Sequence, residues 1–133
     1  MRKPKVSTAK KRAWTAFSRY IRLREADDNG YVSCVTCGTT RHWQDGIHAG
    51  HFIAKSRGNA IYMHPENVHP QCVRCNLHLH GNLIQYTLYM IEQYGQEKIS
   101  ELEELARTTV KFTADDWLEI ETEYKEKADS LIG

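Results

Sequence analysis

Cys34, Cys37, Cys72 and Cys75 form two Cys-x-x-Cys pairs with 34 residues between them. Four thiolates in this spacing can hold one tetrahedral Zn2+, and because they leave no open coordination position the metal's expected role is structural. Such a clamp suits a segment with too few apolar residues to fold unaided. Two disulfides are the other use of four cysteines, but the paired spacing favours a metal over oxidation.

Between and just after the pairs lie His48, His51, Asn67, Asn76, His78 and His80. These residue types bind a second, catalytic metal or activate water. If a helix starts at the fourth cysteine, Asn76 and His80 stand at i and i+4 on one face. His51, on a preceding strand, can reach that face and take a proton from water near neutral pH. The amide of Asn67, five residues before Cys72, can hold the His51 segment. His42, His64, His69 and His78 read as surface residues.

The elements that must position these groups follow from periodicity. Residues 1–6 are expected to be a flexible basic arm. A helix is expected over 7–26, capped by Ser7 or Thr8, with Trp14, Phe17 and Ile21 as its apolar stripe and Arg12, Arg19 and Arg22 off it. Asp27-Asp28-Asn29-Gly30 signals a turn. Residues 31–33 and 47–53 read as two strands of a hairpin, 39–46 as a polar turn and 54–66 as a loop. Three helices should follow: 83–94 ended by Gly95, 96–107, and 113–131 opened by a Thr113/Asp116 capping box. The inward positions expected on the first are Leu83, Thr87, Met90 or Ile91, and Tyr94. The last should present Trp117, Ile120, Tyr124 and Leu131.

The net charge of +1 on 133 residues hides a strong asymmetry. Residues 1–25 hold nine Lys or Arg against Glu25, and residues 95–133 hold eleven acids against five bases. The basic head suggests a phosphate-contacting surface; the acidic tail reads as solvated. Lys55, Arg57 and Arg41 are further loop cations near the motif. A hydrophobic content of 41% and a charged content of 26% are ordinary for a globular chain, and the length suits a single domain over 1–133. No apolar run reaches the roughly 18 residues of a membrane span. The basic N-terminus has no apolar segment behind it, so a secretory signal is not expected and a cytoplasmic location is the default.

The sequence C-x2-C, G-H-F-I, Asn67 and C-x2-C-N with His80 four residues on resembles the zinc-containing HNH (ββα-metal) endonuclease motif. The C-x2-C-Asn ending is also similar to the phage junction-resolving endonuclease VII. A-F-S-R-Y-I-R-L-R-E-A at 16–26, C-V-T-C-G, H-A-G-H-F, N-V-H-P-Q-C-V-R-C-N and the following G-N resemble the lambdoid phage NinG/Rap family of recombination endonucleases, over roughly residues 14–95. The resemblance implies that His51 is the general base, Asn67 its orienting residue, and Asn76 and His80 ligands of a catalytic Mg2+ or Mn2+. One residue departs from the wider pattern: Gly50 stands where a metal ligand is usual, and His48 is the candidate replacement if the strand bends there.

The expected fold is therefore α+β, a zinc-stapled ββα unit (31–82) flanked by one N-terminal helix and about three C-terminal helices (83–133). The expected function is cleavage of branched DNA such as Holliday junctions and D-loops in the bacterial host. Backbone contacts would come from Arg12, Arg19, Arg22, Lys55 and Arg57, and a homodimer would form through the helices after Asn82. The alternatives are a non-catalytic zinc module that binds nucleic acid and a protein-interaction knuckle.

Overall fold

The computed structural model describes residues 2–132. It is a mixed α and β structure with two small sheets and five helices among those residues. Helix α1 spans Val6–Leu23 and buries Ala9, Ala13, Ala16, Phe17 and Ile21, an i, i+4, i+7 stripe whose small members let a neighbour approach closely. The helix starts one residue before Ser7, after an extended Lys5 that makes no side-chain cap, so neither Ser7 nor Thr8 caps it. Asp27 then accepts hydrogen bonds from the Asn29 and Tyr31 N–H groups, closing the expected turn.

The strand pairing differs from the expected hairpin. Strand β1 (Tyr31–Ser33) pairs antiparallel with β2 (Thr40–His42), formed from the segment read as a polar turn, and the first Cys-x-x-Cys pair lies in the tight connection between them. Strand β3 (Ile47–His51) pairs instead with β4 (Val68–Cys72), in the register Ile47↔Cys72 to His51↔Val68. All five residues of β4 are buried, including His69 and Gln71. A strand covered on both faces loses the alternating pattern by which strands are recognised, so β4 carries no such signal in the sequence. His69, expected at the surface, is fully buried.

The β3–β4 ribbon lies between two helical layers. On one side Ala49 and Val68 pack with α1, and with Trp117 and Tyr124 of α5 (Ala114–Ile132). On the other side the ribbon meets α3 (Leu83–Tyr94), which packs with α4 (Gln96–Ala106) around Tyr86, Met90 and Leu102. Residues 54–66 are not a plain loop: a 3-10 turn at Lys55–Arg57 leads into the short helix α2 (Asn59–Tyr62), whose Ile61 is buried in this second cluster. The Thr113/Asp116 capping box forms as expected, Thr113 N–H donating to Asp116 and Asp116 N–H to Thr113. Gly95 ends α3 with φ +88°. The inward face of α3 is rotated from the expected one: Tyr86 and Met90 are buried, while Leu83, Ile84, Leu88 and Ile91 are exposed. Leu131 is likewise exposed rather than packed.

Helices α1 and α5 run parallel, with ion pairs Lys3–Asp115 at 2.7 Å, Arg12–Glu121 at 2.9 Å and Arg19–Asp129 at 2.8 Å. Three carboxylates of the acidic tail are therefore laid along the basic head, while Glu119, Glu123 and Glu126 remain exposed as expected of a solvated face. Lys3, expected in a free arm, is one of the paired cations; Met1 lies outside the described residues.

Gly50 has a structural reason to be glycine. A Cβ there would fall onto the side-chain carbonyl of Gln71 and within 2.7 Å of its Cδ. Gln71 cannot swing aside cheaply, because its Nε2 donates to the Thr36 hydroxyl at 3.1 Å and to the Gly81 carbonyl at 2.8 Å. Its Oε1 is buried without a hydrogen-bond partner, turned toward the glycine. Gly50→Ala is expected to destabilise the fold by roughly 1–3 kcal/mol through overpacking. Adding Gln71→Ser should restore part of the loss in urea titrations; equal stability of Gly50→Ala and wild type would refute the close fit.

Candidate metal centre and the adjoining cleft

The ligand atoms of Cys34, Cys37, Cys72 and Cys75 all lie within 4.8 Å of one another, and none of the four is in a disulfide. The β1–β2 connection supplies the first two. The end of β4 and the turn after it supply the others. The Cys37 and Cys72 sulfurs are 3.7 Å apart. With Zn–S bonds of ~2.3 Å, the edge of a regular tetrahedron is about 3.8 Å, so the donor set fits zinc.

The sulfurs are electrostatically unequal. Burial pushes the Cys34 thiol up, but the Thr36 hydroxyl and nearby backbone N–H groups outweigh it and bring the group to about 6. Burial pushes Cys72 up to about 12, and the neighbouring sulfurs add to that. Four thiolates cannot crowd together without a cation, which links metal uptake to proton release. Among the described residues this is also the one cluster of three or more His, Cys, Asp or Glu with metal-ligand spacing.

Beside the cysteines, a cleft of about 530 Å³ is lined by His48, His51, Asn76 and His80, with Trp14, Arg22 and Lys55 also on its walls. Asn76 and His80 do not share a regular helical face as expected. Residues Arg74–His78 form a wide π turn, and His80 follows it in a left-handed conformation with φ +51°. The Gly81 N–H closes the turn on the Cys75 carbonyl at 2.8 Å. Both residues still reach the same cleft. Across it, Asn76 Nδ2 donates to His48 Nδ1 at 3.0 Å, the strand-to-turn contact that brings these two candidate ligands together. His78 is exposed and does not line the cleft.

His51 is held from three sides. Its Nε2 is 2.8 Å from the Tyr62 carbonyl, and since a carbonyl only accepts, the proton sits on Nε2 and the Nδ1 lone pair is free. Trp14 stacks on the imidazole with centroids 5.1 Å apart, and Tyr62 meets it edge-on. Burial lowers the His51 pKa below its usual 6.5; the Tyr62 contact opposes this and Lys55 adds to it. Asn67 is fully buried and does not touch the ring. Its Oδ1 accepts from the Ile53 N–H at 2.8 Å, and its Nδ2 donates to the Ile53 and Ile61 carbonyls. It thus ties the chain just after His51 to the turn that presents the Tyr62 carbonyl.

The five candidate DNA-contacting cations separate. Arg12 and Arg19 are paired with α5 and lie off the cleft, and Arg57 is 3.5 Å from Glu103. Arg22 and Lys55 line the cleft and are in no ion pair among the described residues. Arg22 is fixed by bonds from Nε to the Ser18 carbonyl and hydroxyl, by a 3.0 Å bond from Nη1 to the Trp43 carbonyl, and by the Trp43 ring. Arg41 lies beside the cysteine cluster with Arg74, away from this cleft. Trp14, expected only in the buried stripe of α1, is also a residue of the cleft wall. Its position at the edge of that stripe, about two turns before Arg22 on the same side of the helix, is the available signal.

Purified protein is expected to carry about one zinc per chain by metal analysis. Cys72→Ser, or a strong chelator at neutral pH, should remove it and lower stability by several kcal/mol. An unfolding curve that chelator leaves unchanged would refute a structural metal.

A family profile described as Bacteriophage Lambda NinG protein matches residues 2–132. Protein ninG of Escherichia phage lambda is 32% identical over 123 residues, which cover 91% of this chain and 56% of that protein. Protein ninG of Salmonella phage P22 is 31% identical over 123 residues, with 91% and 56% covered. Protein ninG of Enterobacteria phage H19B is 34% identical over 95 residues, covering 70% of this chain and 43% of the relative. The chain thus spans about half the length of the curated relatives it matches. No solved structure matches it, and among the described residues no helix is long and apolar enough to cross a membrane. The match extends from the basic helix through the cysteine cluster to the acidic one, and on that basis the chain belongs to the bacteriophage lambda NinG family.

Proposed function

We propose that the chain is a metal-dependent endodeoxyribonuclease of the HNH type, acting on branched DNA such as Holliday junctions and D-loops. The observation that carries the reading is His51: a neutral imidazole on the wall of a cleft, its Nε2–H committed to the Tyr62 carbonyl and its Nδ1 lone pair free. A base so held can take a proton from water as it attacks phosphorus. Arg22 supports the same reading. A half-buried guanidinium with no carboxylate partner suits an anion, and here the anion would be the scissile phosphate.

His48, Asn76 and His80 are the residues that would hold a Mg2+ or Mn2+. They fit incompletely, offering imidazole and amide donors with no carboxylate in the cleft, so phosphate oxygens and water must complete the shell. Bound there, the cation would supply charge stabilisation for the phosphorane and the leaving oxygen. Asn67 acts on His51 at one remove, through Ile53 and the Tyr62 turn.

The exposed face of α3 supports a homodimer. Ile84, Leu88 and Ile91 follow i, i+4, i+7, flanked by Leu77, Leu79 and Leu83, and Ile84 is 78% exposed. The helix carries a single charge, Glu92. An apolar ridge without charges is self-complementary, so a second copy crossing it fits better than a charged partner. Paired cutting of a junction needs two such sites.

Incubation with four-way-junction and linear duplex DNA in Mg2+ or Mn2+ tests the activity. Wild type should cut the junction, His51→Ala should lose at least about 100-fold, and Arg22→Ala about 10–100-fold. Because the His51 pKa is lowered, its base form already dominates at neutral pH; the rate should rise as pH increases through a midpoint below 6.5 and then level off. No cutting with any divalent metal would leave a DNA-binding zinc module. Light scattering should give twice the 15.4 kDa chain mass, and Ile84→Glu with Leu88→Glu should give one; a monomeric wild type would remove the dimer.

A further inference from the structure

Strand β3 ends at the peptide joining Gly50 to His51, and a line of buried hydrogen bonds terminates on that peptide. Tyr86 Oη donates to the Gly50 carbonyl at 2.7 Å. His69 Nδ1 lies 3.0 Å from the same hydroxyl, and His69 Nε2 lies 2.7 Å from Tyr94 Oη. One proton arrangement satisfies all three contacts. The carbonyl can only accept, so the Tyr86 proton points at Gly50 and its oxygen accepts Nδ1–H from His69. Nε2 then carries a lone pair, to which Tyr94 donates.

His69 and Tyr86 are fully buried, and His69 stays neutral because burial brings its pKa down to about 3. Polar groups in such a place are unfavourable unless every one is paired, and here each is. Apolar side chains could fill the space without that requirement. What the hydrogen bonds add is direction. The Gly50 carbonyl and the His51 N–H belong to one rigid plane, so fixing the carbonyl fixes how His51 leaves the strand. The glycine is also what admits the neighbours: Gly50 faces His69 in the strand register, and a side chain there would strike Gln71.

We propose that Tyr94, His69 and Tyr86 form a positioning relay from the C-terminal turn of α3 to His51. The relay holds the strand side of His51, while Tyr62 and Trp14 hold its ring. None of the three lines the cleft. The proposal rests on the reading of His51 as the base, but it makes a statement about His51 geometry that can be measured without turnover.

Tyr86→Phe deletes one hydroxyl and keeps the packing, so it cuts the relay at its last link. Full-length, zinc-loaded protein labelled with 15N-histidine would be observed by NMR at the His51 Nε2–H, alongside cleavage kinetics on junction DNA. The expected result is solvent exchange of that proton faster by about tenfold, and a kcat lower by about tenfold with KM unchanged. Tyr94→Phe, which cuts the outermost link, should move both in the same direction by less, and it serves if Tyr86→Phe does not fold. A folded Tyr86→Phe with unchanged His51 exchange and unchanged kcat overturns the relay. A wild type that cuts no DNA overturns the nuclease reading, while the exchange measurement still decides for or against the relay.

Discussion

Four sulfurs within 4.8 Å of one another are the constraint on which the rest of this structure depends. They belong to two segments, the β1–β2 connection and the end of β4, that are otherwise joined by hydrogen bonds such as Val35 N–H to the Pro70 carbonyl and Gln71 Nε2 to the Thr36 hydroxyl. A dication held among them would turn mutual repulsion into a crosslink between two ribbons of only two strands each, too small to be stable alone. Everything in the adjoining cleft is measured from that crosslink. Cys72 ends the strand opposite β3, and Cys75 begins the turn that brings Asn76 to His48.

The second constraint is steric and acts at one residue. Gly50 allows the Gln71 side chain to cross the ribbon and Tyr86 to reach its carbonyl. This position is thereby given over to packing. His48 is drawn toward Asn76 from the neighbouring register position. On the proposed nuclease reading, the glycine in place of a ligand would reflect how the strand is supported.

The cysteine cluster, the α3 and α4 spans, the Gly95 stop and the Thr113/Asp116 cap were legible in the sequence, because spacing and capping are local chemistry. What was not legible depends on partners distant in the chain. Strand β4 hid behind burial on both faces, so β3 was matched to β1. His69 looked like a surface histidine because two tyrosines 17 and 25 residues later satisfy it. The regular helix expected after Cys75 gave way to a wide turn, since Cys75 must keep its sulfur in the cluster while Gly81 closes back on its carbonyl. His48, His51, Asn76 and His80 nevertheless line one cleft, by a route other than helical periodicity.

The parallel packing of α1 and α5 has a consequence for how this protein would meet a polyanion. Lys3, Arg12 and Arg19 carry their counter-charges as tethered carboxylates on α5. A DNA phosphate that displaced Asp115, Glu121 or Asp129 would free a carboxylate that stays attached to the chain, and that carboxylate would regain its own small cations from solution. Part of the entropy that normally drives cationic surfaces onto DNA, the net release of condensed ions, is thereby forfeited along that face. Arg22 and Lys55, which have no such internal partner among the described residues, keep the full effect. The side of α1 that faces α5 is thus electrostatically muted, while the cleft cations and the exposed Lys11, in no ion pair among the described residues, are not.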